Sequence, residues 1–270
     1  MEVSLFGNYQ QMENVMSVEK HENYSGTSAE FWTSKKDRFT VLGDYLGRLP
    51  SLELLNPRQG MRVLDAGCGA GFVTRMIARS GAETYGCDVE PTMLVSAQNS
   101  ESAEPLNIQY SEADITKHLP YVGSHLDAVF TTGVLIHLSP DECYAFFREA
   151  CRVLKLGGRI VVSVTHYDTH VHGESLPKDA ATWIRHEATD RTHTMGSREY
   201  REYYRNVDGH VFESLVWAHP KSVLLNALVL AGFDIVKDQS MYVTEDVLQK
   251  TGQKGQVGIP GFLQIVAQKR

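Results

Sequence analysis

The chain has 270 residues, a formal charge of -7 and a hydrophobic fraction of 42%, enough apolar material for one large α/β domain or two small ones. Acids outnumber bases, 33 to 26, and no lysine- or arginine-rich run occurs, which argues against a nucleic-acid or anionic-membrane partner. No apolar stretch reaches membrane-span length, Met1 to Gln11 lacks the regions of a signal peptide, and Cys68, Cys87, Cys143 and Cys151 show neither a C-x-x-C pair nor a zinc spacing, so a cytoplasmic chain with small, unpaired core cysteines is expected.

Residues 1–60 read as a polar helical cap. Met12, Val15 and Met16 line one face of a short first helix, which needs a surface to cover it and makes a homo-oligomer through this helix an expectation. Tyr24 to Trp32 follows as an aromatic turn. Phe39, Leu42, Leu46 and Leu49 then repeat at helical spacing until Pro50, where the helix is expected to stop.

From Met61 to Thr165 strands and helices alternate. Strands are expected at 61–65, 83–88, 107–111, 126–131 and 158–165, with helices near 71–80, 91–103 and 140–154. Short, mostly apolar strands separated by helices imply a parallel sheet covered on both faces. The rhythm breaks between residues 166 and 218, a stretch too long for an ordinary connection. It reads as an insertion that covers a site, with a short helix around Arg198 to Asn206. A helix near 220–231 and strands at 233–237 and 262–268 complete the sheet.

The most informative run is Val63-Leu64-Asp65-Ala66-Gly67-Cys68-Gly69-Ala70-Gly71. A buried strand enters a glycine-rich turn and then a helix, which lets a ligand approach the backbone closely. Dinucleotide sites spell this turn G-x-G-x-x-G. Here the third glycine comes one residue early, and Asp65 would repel a pyrophosphate but suit a cationic amine. A nicotinamide dehydrogenase is therefore disfavoured. Asp88 stands at the tip of the second strand, where a carboxylate can accept two hydrogen bonds from a ribose diol.

Together these segments resemble the class I S-adenosylmethionine (SAM) methyltransferases. The glycine run resembles their first motif, Leu126 to Leu138 their second, and Arg152-Val153-Leu154-Lys155-Leu156-Gly157-Gly158 their closing motif, with Leu156 in place of the usual proline. The resemblance implies a Rossmann-like α/β fold. Its mostly parallel seven-stranded sheet has order 3-2-1-4-5-7-6 and an antiparallel last strand, and spans residues 61–270. It also implies SAM as cofactor, with S-adenosylhomocysteine (SAH) as product. The cofactor residues it points to are Asp65, Gly67, Cys68, Gly69, Gly71, Asp88, Val89, Asp114, Ile115, Thr132 and Gly133, with Tyr24 reaching the methionine end. Asp114 would accept from the adenine amino group, and Ile115 would pack on the ring.

A transferable methyl needs alignment and exclusion of water more than covalent help, so a lid is expected. Tyr24, Phe31 and Trp32 form one candidate segment. The insertion supplies Tyr167, Trp183, Tyr200, Tyr203 and Tyr204, the last three on one helix with Tyr200 and Tyr204 four apart. His166, Asp168, His170 and His172 follow the fifth strand, where open parallel sheets place their active sites, and are the candidate bases. No metal is assigned, although His170, His172 and Glu174 are near in sequence. A small organic substrate is the default. By layout the chain loosely resembles the teleocidin-type enzymes that C-methylate a prenyl group on an indole alkaloid, and related cyclases. That likeness implies specialised terpenoid, alkaloid or polyketide metabolism. O- or N-methylation with a His or Asp base, and cyclisation without methyl transfer, remain as alternatives.

Overall fold

The computed structural model describes residues 42–171, 183–205, 211–252 and 256–270. Tyr24, Phe31, Trp32, His172 and the first helix all fall outside these residues.

The central sheet begins with β1 (Arg62–Ala66), β2 (Glu83–Asp88), β3 (Gln109–Glu112), β4 (Leu126–Thr132) and β5 (Leu154–Thr165). Three strands of the insertion follow: β6 (Trp183–Thr192), β7 (Arg198–Arg205) and β8 (Val211–Ala218). The chain then returns to the central sheet with β9 (Phe233–Tyr242) and β10 (Pro260–Lys269). The seven strands of the central sheet lie in the order β3-β2-β1-β4-β5-β10-β9. Counted within that sheet alone, this is the expected order 3-2-1-4-5-7-6. The first five strands pair in parallel, and β10 runs antiparallel to both of its neighbours.

Helices α2 (Phe72–Arg79), α3 (Pro91–Ala103), α4 (Pro140–Val153) and α6 (Lys221–Leu230) cover the sheet; the others are α1 (Leu49–Leu55), α5 (Tyr167–Val171) and α7 (Glu245–Thr251). The start of α4 has a local cause. Ser139 and Glu142 close a reciprocal capping box on α4, with Pro140 in the first turn, where its missing N–H leaves no hydrogen bond unmade. The main core lies between the sheet and α4 with α6. Phe146, Phe147 and Phe233 are fully buried there among Leu64, Val129 and Ile160. Full burial of each such ring contributes on the order of 2–3 kcal/mol.

Two expectations fail. Pro50 does not end its helix. Gly43–Arg48 form a π-helical turn that runs straight into α1, and Pro50 sits in the first turn of α1, the helical position that tolerates it. The wide turn leaves carbonyls to be satisfied. Gln264 of β10 donates to the carbonyls of Leu46 and Gly47, and Ser51 Oγ donates to that of Gly47. The second failure is the expected helix at Arg198 to Asn206. Arg198–Arg205 is β7, the middle strand of the separate three-stranded sheet β6-β7-β8.

Candidate cofactor and substrate site

Parallel strands place their C-terminal ends on one edge, so Asp65, Asp88, Asp114, Thr132 and His166 come together there by topology. The loop after β1 is pinned to β2. The backbone N–H groups of Gly67 and Cys68 both donate to the carbonyl of Cys87, at 2.8 and 2.9 Å. Gly67 and Gly71 have φ of +75° and +82°, a region that other residues enter at a cost.

Asp65 is fully enclosed beneath this loop. Its Oδ2 accepts from Thr74 Oγ1 of α2 at 2.7 Å. Burial drives its carboxyl up to about 7, against the Thr74 hydrogen bond, and the Asp88 charge pushes the same way. Arg48, at the end of the π-turn, draws it back down. Arg48 pairs with the buried Asp44 at 2.6 Å and lies 5.9 Å over the Phe72 ring that opens α2. Neither Arg48 nor Thr74 stands out in the sequence as a site residue, because each acts through Asp65 and only the fold brings them near it.

Asp88 accepts the N–H of Gly69 on Oδ2 at 2.8 Å and that of Glu90 on Oδ1 at 3.0 Å. Burial raises its pKa despite these bonds. The Val89 N–H bonds to it as well; a carboxylate has about four acceptor positions, so one is left for a ligand hydroxyl. The helix after it is capped by Glu90, which accepts from Thr92 N–H, leaving Asp88 out of that task. Val89 beside it is 45% exposed, an apolar surface at the strand tip that suits a flat ring. Asp114 bends onto its own loop, accepting from the N–H and Oγ1 of Thr116, with Lys117 at 3.1 Å. Burial pushes its carboxyl up, but these contacts hold it below the usual range. Ile115 is buried in the main core. Gly133 has a φ of +71°, and a Cβ there would meet nothing within 4 Å, so the end of β4 is open. Such an arrangement, with a hydroxyl acceptor, an exposed apolar strand tip and an open backbone edge, fits SAM.

Of the candidate bases, His166 and Asp168 come together. The Asp168 N–H donates to His166 Nδ1 at 3.3 Å, which puts the ring proton on Nε2, facing Ser240 Oγ at 3.2 Å. Burial lowers the pKa of His166, against the pull of Asp168. The ring is thus held neutral with both nitrogens engaged. His170 falls within α5, and His172 lies outside the described residues. Among the described residues no group of three His, Cys, Asp or Glu side chains is placed to hold a metal.

The insertion sheet sits over this edge. Tyr200, Val216 and Ala218 pack on Ile136, which follows β4, and on Tyr167, which follows β5. Tyr203 lies on the other face of β7, where its hydroxyl meets Glu187 at 3.3 Å. A strand sends neighbouring residues to opposite sides, so Tyr200 and Tyr203 do not share the face that a helix would have given them. Trp183 and Tyr204 are paired in register across β6 and β7. His219 fastens the end of β8 to the turn after β4. Its Nε2–H points to the carbonyls of Leu135 and Leu138, both at 3.0 Å, and its Nδ1 accepts from Ser197 Oγ at 3.1 Å. Buried at 2% exposure, it was not singled out in the sequence, since a histidine that joins two segments has no local motif.

Strand order, glycine loop and paired acids define the class I SAM-dependent methyltransferase architecture, and SAM is the cofactor of this class. Residues 63–158 match the family model described as "Methyltransferase domain". It is similar to a demethylmenaquinone methyltransferase of Tropheryma whipplei (strain Twist), 34% identical over 46% of this chain and 49% of that one. It is also similar to the mitochondrial ubiquinone biosynthesis O-methyltransferase of Homo sapiens, 30% identical over 46% of this chain and 34% of that one. The chain thus spans about half or less of the curated relatives it matches. Among solved structures, a SAM-dependent methyltransferase from Mesorhizobium loti shares the fold with a TM-score of 0.57 at 21% identity, covering 84% of this chain and 99% of that one. No helix among the described residues is long and apolar enough to cross a membrane.

Proposed function

We propose that the protein transfers the methyl group of SAM to a small organic molecule held between the C-terminal edge of the central sheet and the insertion. The observation that carries this reading is Asp88. It fastens Gly69 to the tip of β2 and, with about four acceptor positions against three backbone donors, still keeps one for a ribose hydroxyl. Bound SAM would supply an already activated methyl, so the chain has only to bind, orient and keep water out. Asp88 and Gly133 would frame the cofactor, Asp65 would face its cationic end, and the insertion would exclude solvent.

Residues 1–60 as a cap, residues 166–218 as a substrate cover, and assembly through the first helix belong to the same proposal. The bases proposed for an O- or N-methylation are His166, Asp168, His170 and His172. For His166 this requires release from Ser240 when substrate binds. The named relatives are methyltransferases of quinone pathways. Their names favour a quinone-type aromatic acceptor over the prenyl C-methylation suggested by layout, and support comes from those names alone.

The test is calorimetric titration with SAM and SAH, followed by incubation of a metabolite extract with methyl-labelled SAM and mass spectrometry of the labelled product. Binding of both ligands with label in a small molecule is the expected result. Binding without any label transfer would favour the non-methylating cyclase, and failure to bind either ligand would refute the reading.

A further inference from the structure

The opposite edge of the central sheet, where β1, β4 and β5 begin, carries a cleft of about 510 Å³. Arg58, Asp127, Lys155, Leu156, Arg159 and Val236 are among the residues that line it. Its place follows from the helix above it. Leu55 of α1 packs on Val161 and Val266 of the sheet. Alternate residues of a strand share a face, so Arg159, two before Val161, lies on the side that α1 covers. Helix α1 ends at Leu55, with Asn56 in the left-handed region at φ +43°, and Arg58 follows on the loop to β1.

The charges in this cleft do not cancel. Asp127 is already engaged, since it pairs with Lys155 at 2.5 Å and accepts the Arg62 N–H at 2.8 Å. Arg75 and Arg152 elsewhere on the sheet each find a carboxylate, at 2.9 and 2.8 Å. Arg58 and Arg159 make no ion pair or hydrogen bond among the described residues. Burial, and then the charge of Arg58, lower the pKa of Arg159, so the two cations are near enough to repel. Beside them Leu156, which stands where the closing motif usually has proline, is 79% exposed, and Val236 is 61% exposed. Gln268, opposite Arg159 on β10, donates to the Gly157 carbonyl at 2.8 Å and holds the Leu156 turn against the strand.

We propose that this cleft binds a small organic anion, its carboxylate or phosphate head between Arg58 and Arg159 and its apolar body along Leu156 and Val236. A guanidinium presents paired N–H donors that match either head, and the anion relieves the repulsion between the two cations. The volume is in the range of small-molecule sites. Arg159 stands six residues before Thr165, which ends β5 at the cofactor edge, a separation of roughly 20 Å at the rise of a strand. The ligand therefore binds with or without SAM, and the site does not depend on the methyltransferase reading.

The full chain is titrated by calorimetry with hexyl phosphate, hexanoate, 1-hexanol and inorganic phosphate. One or both hexyl anions should bind, roughly tenfold or more tightly than hexanol and inorganic phosphate, with affinity that falls as salt is added. The tighter of the two assigns the site to phosphate esters or to carboxylates. Arg159→Gln should weaken that anion roughly tenfold, and Arg58→Gln several-fold, as expected for loss of a charge-assisted hydrogen bond. Neither variant should change SAH affinity. Arg58 is exposed on a loop, so Arg58→Gln decides the matter if Arg159→Gln does not fold. Failure of both hexyl anions to bind, equal binding of hexanol or of inorganic phosphate, unchanged anion affinity in either folded variant, or a loss of SAH affinity in either would each overturn the proposal.

Discussion

Asp65→Asn should make the protein more stable at neutral pH and a poorer binder of SAM. In the fold its carboxyl is pushed from 3.8 to about 7 by burial. A raised acid pKa means that the fold disfavours the ionised form. The penalty is absent below the unfolded pKa, grows as pH rises from about 4 to 7, and is complete above that. A shift of about three units corresponds to about 4 kcal/mol. Asparagine carries no charge and keeps an oxygen for Thr74 Oγ1, although its buried NH₂ needs a partner at a cost of about 1–2 kcal/mol. The variant should therefore exceed the parent by about 2–3 kcal/mol at pH 7.5 and match or fall slightly below it near pH 4. Urea unfolding of both proteins at pH 4, 6 and 7.5 measures the gap. A gap that does not change with pH would refute the argument. On the proposed orientation, calorimetry at pH 7.5 should show the variant losing affinity for SAM more than for adenosine. A residue that costs stability and repays it in binding is what a functional site predicts.

Three other outcomes follow from the same geometry. Asp88→Ala should weaken SAM roughly tenfold to a hundredfold by calorimetry, from the loss of about 1.5–3 kcal/mol of hydrogen bonding to a charged acceptor; unchanged affinity would remove the ribose assignment. His219→Leu strands two carbonyls and the Ser197 hydroxyl. It should cost about 2–4 kcal/mol, with hydrogen exchange in β8 rising before exchange in β1 or β4. Gln264→Leu abandons the carbonyls of Leu46 and Gly47 and the amide of Gln239. A similar loss of about 2–4 kcal/mol is expected in chemical unfolding, with α1 the first helix to gain exchange.

The central sheet was legible because its strands are short apolar runs ended by glycine or an acid, and β2 and α3 fall on the expected residues. The three strands of the insertion were not. Tyr200 and Tyr204 are four apart, a spacing that a helix turn and two steps of strand alternation both satisfy. The polarity pattern that usually separates these readings is absent, since both faces of β7 carry charge: Glu202 is buried on one, and Glu199, ion-paired with Arg191 at 2.9 Å, on the other. Pro50 misled for a related reason. Its effect depends on which turn of the helix it occupies, and the π-turn before it has no sequence signature. Among site residues, Asp65 and Asp88 were found because strand-tip acids beside glycines are a local signal. Arg48, Thr74 and His219 act across long sequence separations.

The glycine loop has a consequence for how such a chain can change over evolutionary time. The space where a side chain would grow at Gly67 is taken by Val134, and that at Gly71 by the Tyr110 hydroxyl and Ala97. Each neighbour comes from a different element: the turn after β4, the strand β3 and the helix α3. A mutation at either glycine therefore meets two obstacles at once, a backbone that disfavours it and an occupied volume. Trimming the neighbour clears only the second. Val134 and Tyr110 have no room to grow toward the glycines, and shrinking either leaves a void in a packed contact, which costs stability. Descendants of this sequence should keep Gly67 and Gly71 together with the volumes of Val134 and Tyr110 that fill the space around them, a coupled constraint that a set of orthologues would display.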